Sequence, residues 1–107
     1  MAARHPFLDH LGPIAFVHRG GAAEAAENSL GAFRRAFALG FSYAETDVHA
    51  TADGVLVVSH DPTLDRVADR PGRISQLVWA DVAQARLSDG SPLPRLPELL
   101  EVLPGLR

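Results

Sequence analysis

A histidine and an arginine stand side by side where the sequence changes from apolar to polar. His18 and Arg19 directly follow an apolar run, residues 14–17, and two glycines follow them. Parallel α/β folds place their sites just beyond the carboxyl ends of strands. A histidine there can move a proton while the arginine holds an anion such as phosphate. Taken alone, the segment favours a polar turn at the end of a strand, with Gly20 present only for its backbone conformation.

Two carboxylates form the second group. Glu45 and Asp47 stand two positions apart in a mostly apolar segment, residues 43–50. Side chains two apart in a strand point to the same side, so both carboxylates should project together. They would repel one another unless a cation lay between them, and Mg²⁺ or Ca²⁺ favours such oxygen ligands. The alternative is an exposed edge strand on which both are solvated, and the residue types leave the two alternatives level.

Two further segments have weaker claims. His60 and Asp61 follow an apolar run, residues 55–58. A second acid/base group is one interpretation, but the pair taken alone favours a simple turn. Glu27 precedes Asn28, which is a good residue to begin a helix. A carboxylate near a helix N-terminus is favoured whatever its function. We therefore interpret Glu27 mainly as structural, with some chance that it lies beside the site.

The elements that must position these groups suggest an α/β fold. Leu30, Phe33 and Phe37 are spaced to share one face of a helix that Gly40 would end. The other predicted elements are strands at 14–17 and 43–50, a turn at 53–54, an extended segment at 55–58, a loop at 63–75 and helices at 79–87 and 97–103. Strand, helix, strand, excursion and helix is the order expected at the start of a domain with a parallel sheet.

Composition limits the classes of function. The chain has 107 residues and a net charge of -3, so it offers no basic surface for nucleic acid and no polybasic segment for a membrane. Cysteine is absent, which excludes thiolate zinc sites and cysteine nucleophiles. No apolar run approaches the ~20 residues that span a bilayer. We expect a cytoplasmic protein with a small-molecule substrate. A nucleotide-binding domain is disfavoured, since no Gly-rich dinucleotide or phosphate-loop pattern is present.

The order of these groups is more specific than any one of them. The sequence resembles the opening signature of the glycerophosphodiester phosphodiesterase family over nearly the whole chain. The similar pieces are His18-Arg19-Gly20, Glu27-Asn28-Ser29, Glu45-Thr46-Asp47-Val48, Asp53-Gly54, His60-Asp61, Thr63-Leu64-Asp65-Arg66 and residues 93–100.

The resemblance implies a fold and an activity. The fold would be the first part of a (β/α)₈ TIM-type barrel with a small insertion after the second strand. Members cleave glycerophosphodiesters, products of lipid metabolism, to glycerol 3-phosphate and an alcohol. Carried over to this chain, His18 and His60 would be the catalytic acid/base pair and Arg19 would bind the phosphate. Glu45 and Asp47 would hold a divalent metal, Mg²⁺ or Ca²⁺.

The sequence departs from the family pattern in several places. Ser29 and Val78 stand where threonine is usual. The family's further carboxylate ligand and lysine come from the next barrel strand, which we expect to lie beyond residue 107, and the chain contains no lysine. A (β/α)₈ barrel needs ~250 residues. We therefore expect residues 1–107 to be the N-terminal portion of a single domain, incomplete at its C-terminus and inactive alone. The alternatives are a non-catalytic remnant or binding module, and a related barrel phospholipase acting on sphingolipid or inositol phosphodiesters.

Overall fold

The computed structural model describes residues 5–8, 16–20 and 26–102. Its elements in chain order are a 3₁₀ turn at Pro6–Leu8, strand β1 (Phe16–His18), helix α1 (Leu30–Ala38), strands β2 (Tyr43–Glu45), β3 (Val48–Ala50) and β4 (Leu56–Val58), a 3₁₀ turn at Ile74–Gln76, and helices α2 (Trp79–Val82) and α3 (Leu96–Val102). Residues 14, 15 and 103 of the predicted elements lie outside the described residues.

Strands β1 and β2 form a parallel pair joined by helix α1, so the predicted strand–helix–strand unit is confirmed. The helix is capped by Ser29, one residue after the predicted Asn28, because the Ser29 hydroxyl accepts a hydrogen bond from the Ala32 N–H at 3.0 Å. The close approach of β1 to α1 explains Gly20. A side chain there would meet the Ala32 methyl at 3.2 Å and the Phe33 ring at 3.3 Å.

The predicted helix face is only partly correct. Ala32, Phe33 and Ala36 are buried, whereas the Phe37 residue is 47% exposed. At about 100° per residue, Phe37 lies at the edge of the stripe centred between Phe33 and Ala36. Phe37 and Leu30 share one side of the helix, as predicted, but that side lies at the margin of the buried core.

The prediction of one strand over residues 43–50 is wrong. The segment divides at residues 46–47 into β2, which pairs with β1, and β3, which pairs with β4 in an antiparallel hairpin. At the break, the Thr46 hydroxyl donates a hydrogen bond to the Asn28 side chain. Period-two alternation therefore does not relate the Glu45 and Asp47 side chains, because Glu45 ends β2 and Asp47 lies in the break.

The hairpin opens an excursion between β2 and α3 that has its own core. Its buried members are Val57, Leu64, Ile74, Val82, Ala85, Leu87 and Leu93. Helix α2 is shorter than the predicted 79–87, and its Val78 N-cap has no side-chain hydrogen bond to offer. Asp53 of the hairpin turn performs that role, since its carboxylate accepts from the Trp79 N–H at 3.0 Å. The side-chain cap that Val78 lacks is thus supplied from another element.

Helix α3 returns the chain to the first unit. It begins at Leu96, one residue before the prediction, with Pro97 tolerated in its first turn. Leu99 packs with Phe33 of α1 and Val58 of β4 in a second buried cluster. Within the described ranges, every helix is too short or too polar to cross a bilayer.

Candidate active site

The parallel pairing of β1 and β2 brings His18 beside Glu45. These residues are register partners at the last position of each strand. The His18 Nε2 atom lies 3.2 Å from the Glu45 Oε2 atom, and the two side chains are 66% and 44% exposed. Two of the predicted site residues therefore meet at one edge of the sheet, open to solvent.

The turn after β1 is held in an unusual backbone conformation. Arg19 has φ 53° and Asn28 has φ 58°, the left-handed region that non-glycine residues seldom adopt. The Arg19 N–H donates to the Glu45 carbonyl at 2.8 Å, and the Arg19 carbonyl accepts from the Asn28 N–H at 2.8 Å. The Asn28 amide oxygen accepts from the Thr46 hydroxyl at 2.6 Å. Such strain persists where surrounding bonds enforce it and is concentrated at functional sites.

Five side chains form a continuous set of hydrogen bonds, which we call the arginine network. Arg19 Nη1 donates to Glu27 Oε2 at 3.2 Å, and Arg66 Nη1 donates to Glu27 Oε1 at 2.6 Å. Arg66 also donates to both oxygens of Asp61, from Nε at 2.8 Å and from Nη2 at 3.1 Å. His60 Nδ1 lies 2.9 Å from Asp61 Oδ1. The network joins the segment after β1 to the segment after β4.

The network fixes the charge of its acidic members. Hydrogen bonds from Arg66 lower the pKa of Glu27, with smaller contributions from the charges of Arg66 and Arg19. Hydrogen bonds from Arg66 and then from His60 hold the pKa of Asp61 far below its ordinary value. Hydrogen bonds to Glu27 and Asp61 raise the pKa of Arg66. Both carboxylates are consequently ionised at neutral pH.

Asp47 and His49 lie where the β3–β4 hairpin meets the site. The Asp47 carbonyl accepts from the Ser59 N–H at 2.9 Å. The His49 Nε2 atom lies 3.0 Å from the His60 carbonyl, which can only accept, so His49 donates and supports the loop that carries His60. The described part of the chain brings no three His, Cys, Asp or Glu side chains together as a metal cluster.

Three buried polar atoms at this edge lack a hydrogen-bond partner among the described residues. They are Arg19 Nε, Asn28 Nδ2 and Glu45 Oε2. Glu45 Oε2 is in ion-pair range of His18 but not in hydrogen-bond geometry. Buried polar groups are normally paired, and an unpaired one leaves a desolvation cost of about 1–3 kcal/mol. Two donors and one carboxylate acceptor thus remain free for other groups.

Sequence reasoning found part of this arrangement. It selected His18, Arg19, Glu45, Asp47 and His60, which all lie at the junction of β1, β2 and the hairpin. It missed the bridging role of Glu27 and gave no role to Arg66. The signal in the sequence was that both residues lie in segments that resemble the family. That signal does not reveal that the two side chains pair across 39 positions.

Comparison with known proteins agrees with this geometry. The model of the glycerophosphoryl diester phosphodiesterase family matches residues 18–106, which include every residue of the arginine network. The chain belongs to the glycerophosphoryl diester phosphodiesterase family. It is 46% identical over 102 residues to the probable glycerophosphodiester phosphodiesterase 2 of Mycobacterium tuberculosis, covering 94% of this chain and 39% of that protein. It is 40% identical over 95 residues to the rat glycerophosphodiester phosphodiesterase 1, covering 83% of this chain and 29% of that protein.

Solved phosphodiesterase structures share the fold. The glycerophosphodiester phosphodiesterase of Agrobacterium tumefaciens superposes with a TM-score of 0.80 and 36% identity, covering 84% of this chain and 42% of that one. A phosphodiesterase of Oleispira antarctica, solved with the product sn-glycerol-3-phosphate, superposes with a TM-score of 0.81 and 30% identity, covering 86% and 40%.

These matches confirm the predicted family and the predicted fold class. The described residues form the first part of a phosphodiesterase (β/α)₈ barrel, with the hairpin excursion between the second strand and its helix. The chain spans about 40% of the length of the solved phosphodiesterases that it matches.

Proposed function

We propose that the protein carrying this phosphodiesterase chain hydrolyses glycerophosphodiesters to glycerol 3-phosphate and an alcohol. The observation that carries the proposal is the set of unpaired buried atoms at the β1–β2 edge. Two of them are nitrogen donors, on Arg19 and Asn28, and the third is a carboxylate oxygen of Glu45. The oxygens of a phosphodiester can accept hydrogen bonds from the Arg19 and Asn28 nitrogens. A cation that accompanies it can bind the Glu45 oxygen.

The anionic group is assigned to the Arg19 side. The Arg19 guanidinium donates from Nη1 to Glu27, while its Nε has no partner among the described residues. Asn28 is 3% exposed and presents its free amide nitrogen from the adjoining left-handed turn. Fixed donors aimed at developing phosphoryl charge are among the strongest sources of rate enhancement. The Oleispira relative was solved with sn-glycerol-3-phosphate, a product that carries a phosphate group.

The proton transfers are assigned to His18 and His60. Cleavage requires that an entering hydroxyl lose a proton and that the departing alkoxide gain one, and histidine suits both tasks near neutral pH. His60 contacts Asp61 through Nδ1, so its Nε2 atom is the one available to exchange a proton. The Glu45 Oε2 atom lies 3.2 Å from His18 Nε2, so both side chains are present at the same edge of the sheet.

The carboxylates of Glu45 and Asp47 would hold the divalent metal. Carboxylate oxygens suit Mg²⁺ or Ca²⁺, and the unpaired Glu45 Oε2 is the structural observation that fits such an ion. When bound, the metal would supply positive charge to a phosphoryl oxygen.

The test is a Glu45→Gln variant of the protein expressed from its whole coding sequence. Neutralising this carboxylate removes a proposed metal ligand with little change of shape. We expect kcat/KM for glycerophosphocholine to fall at least about 100-fold, the scale of losing a key electrostatic group. Release of glycerol 3-phosphate is the measurement, with and without a chelator. The matched control is Glu101→Gln, because Glu101 is exposed on α3.

The outcomes separate the alternatives. Loss of activity in the chelator, recovery with Mg²⁺ or Ca²⁺, and a near-normal Glu101→Gln variant would support the proposal. Full activity of Glu45→Gln would refute the metal assignment. A folded wild-type protein that releases no glycerol 3-phosphate would instead support the non-catalytic remnant.

A further inference from the structure

Arg66 occupies the centre of the arginine network, yet the proposed chemistry gives it no task. It is the residue that contacts both Glu27 and Asp61, and it makes three hydrogen bonds of 2.6–3.1 Å to them. Its own side chain is 50% exposed, so its contacts do not serve a buried core. An exposed arginine that fixes two carboxylates suggests a role in their orientation.

We propose that Arg66 is a positioning residue for the reaction proposed above, on which this inference rests. It holds Asp61 in the orientation that sets the tautomer of His60. It also holds Glu27 in the orientation that aims Arg19.

The Asp61 side of the argument depends on the shape of the guanidinium. Nε and Nη2 of Arg66 contact the two carboxylate oxygens separately, which is the paired geometry that a planar arginine fork provides. An ionised Asp61 can only accept hydrogen bonds, so the hydrogen between it and His60 belongs to His60 Nδ1. That places the lone pair of the neutral ring on Nε2. The tautomer suited to proton transfer is therefore set through Asp61 by Arg66.

The Glu27 side follows the same logic. Its two oxygens are divided between two arginines, Oε1 to Arg66 and Oε2 to Arg19. The Glu27 side chain is 15% exposed, so water is a poor substitute for either partner. Without Arg66, Glu27 would be free to rotate toward Arg19 and occupy the donors that we assign to the phosphate. Arg66 thus keeps the Glu27 carboxylate from competing with substrate.

The experiment compares Arg66→Met and Arg66→Lys with a control, Arg70→Met, in the protein expressed from its whole coding sequence. Arg70 is 42% exposed and its neighbour Asp69 lies 3.6 Å away, so it is an arginine of similar exposure outside the network. We expect kcat for glycerophosphocholine to fall about 10- to 100-fold in Arg66→Met, as when an orienting partner is lost. Arg66→Lys should recover little, because an ammonium cannot form the fork.

A second readout does not depend on activity. Nitrogen-15 NMR of the imidazoles at pH 8 should show the Nδ1–H tautomer of His60 in the wild type and in Arg70→Met, and a shift toward Nε2–H in both Arg66 variants. Circular dichroism establishes that each variant is folded, and if Arg66→Met does not fold, Arg66→Lys carries the comparison. Support requires both the tautomer change and the loss of kcat.

Any other result overturns the positioning role. An unchanged His60 tautomer in the Arg66 variants excludes it even if activity falls, and an unchanged kcat excludes it even if the tautomer shifts. If the wild type hydrolyses no glycerophosphodiester, the proposed function fails, and a tautomer unaffected by Arg66 substitution would separately refute the action of Arg66 on His60.

Discussion

Ionised carboxylates in the arginine network should make the protein sensitive to acid. The ordinary pKa values of Glu27 and Asp61 are 4.5 and 3.8, and the folded protein lowers both. Carboxyl groups with lowered folded pKa values contribute stability above their unfolded pKa values and lose it as pH falls through the folded ones. Their contribution is therefore fully present at neutral pH and declines below about pH 5.

Removing Arg66 should weaken this acid dependence, because its hydrogen bonds are the largest cause of both shifts. We expect the free energy of unfolding of Arg66→Met to fall less between pH 6 and pH 3 than that of the wild type. Urea denaturation at several pH values provides the measurement. Arg70→Met is again the control, and equal pH slopes for Arg66→Met and the wild type would contradict the prediction.

Single residues could be selected from the sequence, but their pairing could not. His18 was nominated by its place at the end of a strand, and Glu45 by its carboxylate two positions from that of Asp47. The link from Arg66 to Glu27 spans 39 positions and joins two irregular segments. Neither helical nor strand periodicity extends into such segments. Both segments pack on the same core, through Ala26 next to Glu27 and through Leu64 and Val67 beside Arg66.

Among the elements, α1 depends on its N-cap. The Ser29 hydroxyl accepts from the Ala32 N–H at 3.0 Å and donates to the Ala26 carbonyl at 2.7 Å, and Ser29 is fully buried. We expect Ser29→Ala to lower the free energy of unfolding by about 1–2 kcal/mol. Chemical denaturation is the measurement. Ser75→Ala should change stability by less than about 0.5 kcal/mol, because Ser75 is exposed. A Ser29→Ala variant as stable as Ser75→Ala would show that the cap contributes little.

Local signals predicted elements well where the element depends on its own residues. Helix α1 has its cap, its buried stripe and Gly40 within one segment, and its limits were predicted closely. Residues 43–50 satisfied a single strand locally, and they divide only because β1 and β4 offer two different partners. Helix α2 is capped by Asp53, 26 positions earlier. The predictions were therefore wrong where the limits of an element depend on residues that are distant in the sequence.

At the scale of the whole molecule, the described residues contain two buried clusters of different origin. The larger one is formed entirely by the excursion between Val57 and Leu93. The smaller one joins α1, β4 and α3 through Phe33, Val58 and Leu99. The resemblance predicted that an excursion follows the second strand. Its separate core was not predictable, because two of its buried residues, Leu64 and Ile74, lie in a segment that has the polar composition of a loop.

This division implies an order of assembly. Strands β3 and β4 pair residues no more than ten positions apart, whereas Phe16 pairs with Tyr43 across 27. Contacts between near neighbours in sequence close with less loss of chain entropy and form sooner. Pulse-labelling hydrogen exchange during refolding should protect the Leu64 and Ala68 amides before those of Arg19 and Asn28, and simultaneous protection would contradict this order. The contact between Asp61 and Arg66 would then form early, and Glu27 would join it only when β1 docks. The bond from Arg66 to Glu27 is thus a marker for the docking of β1.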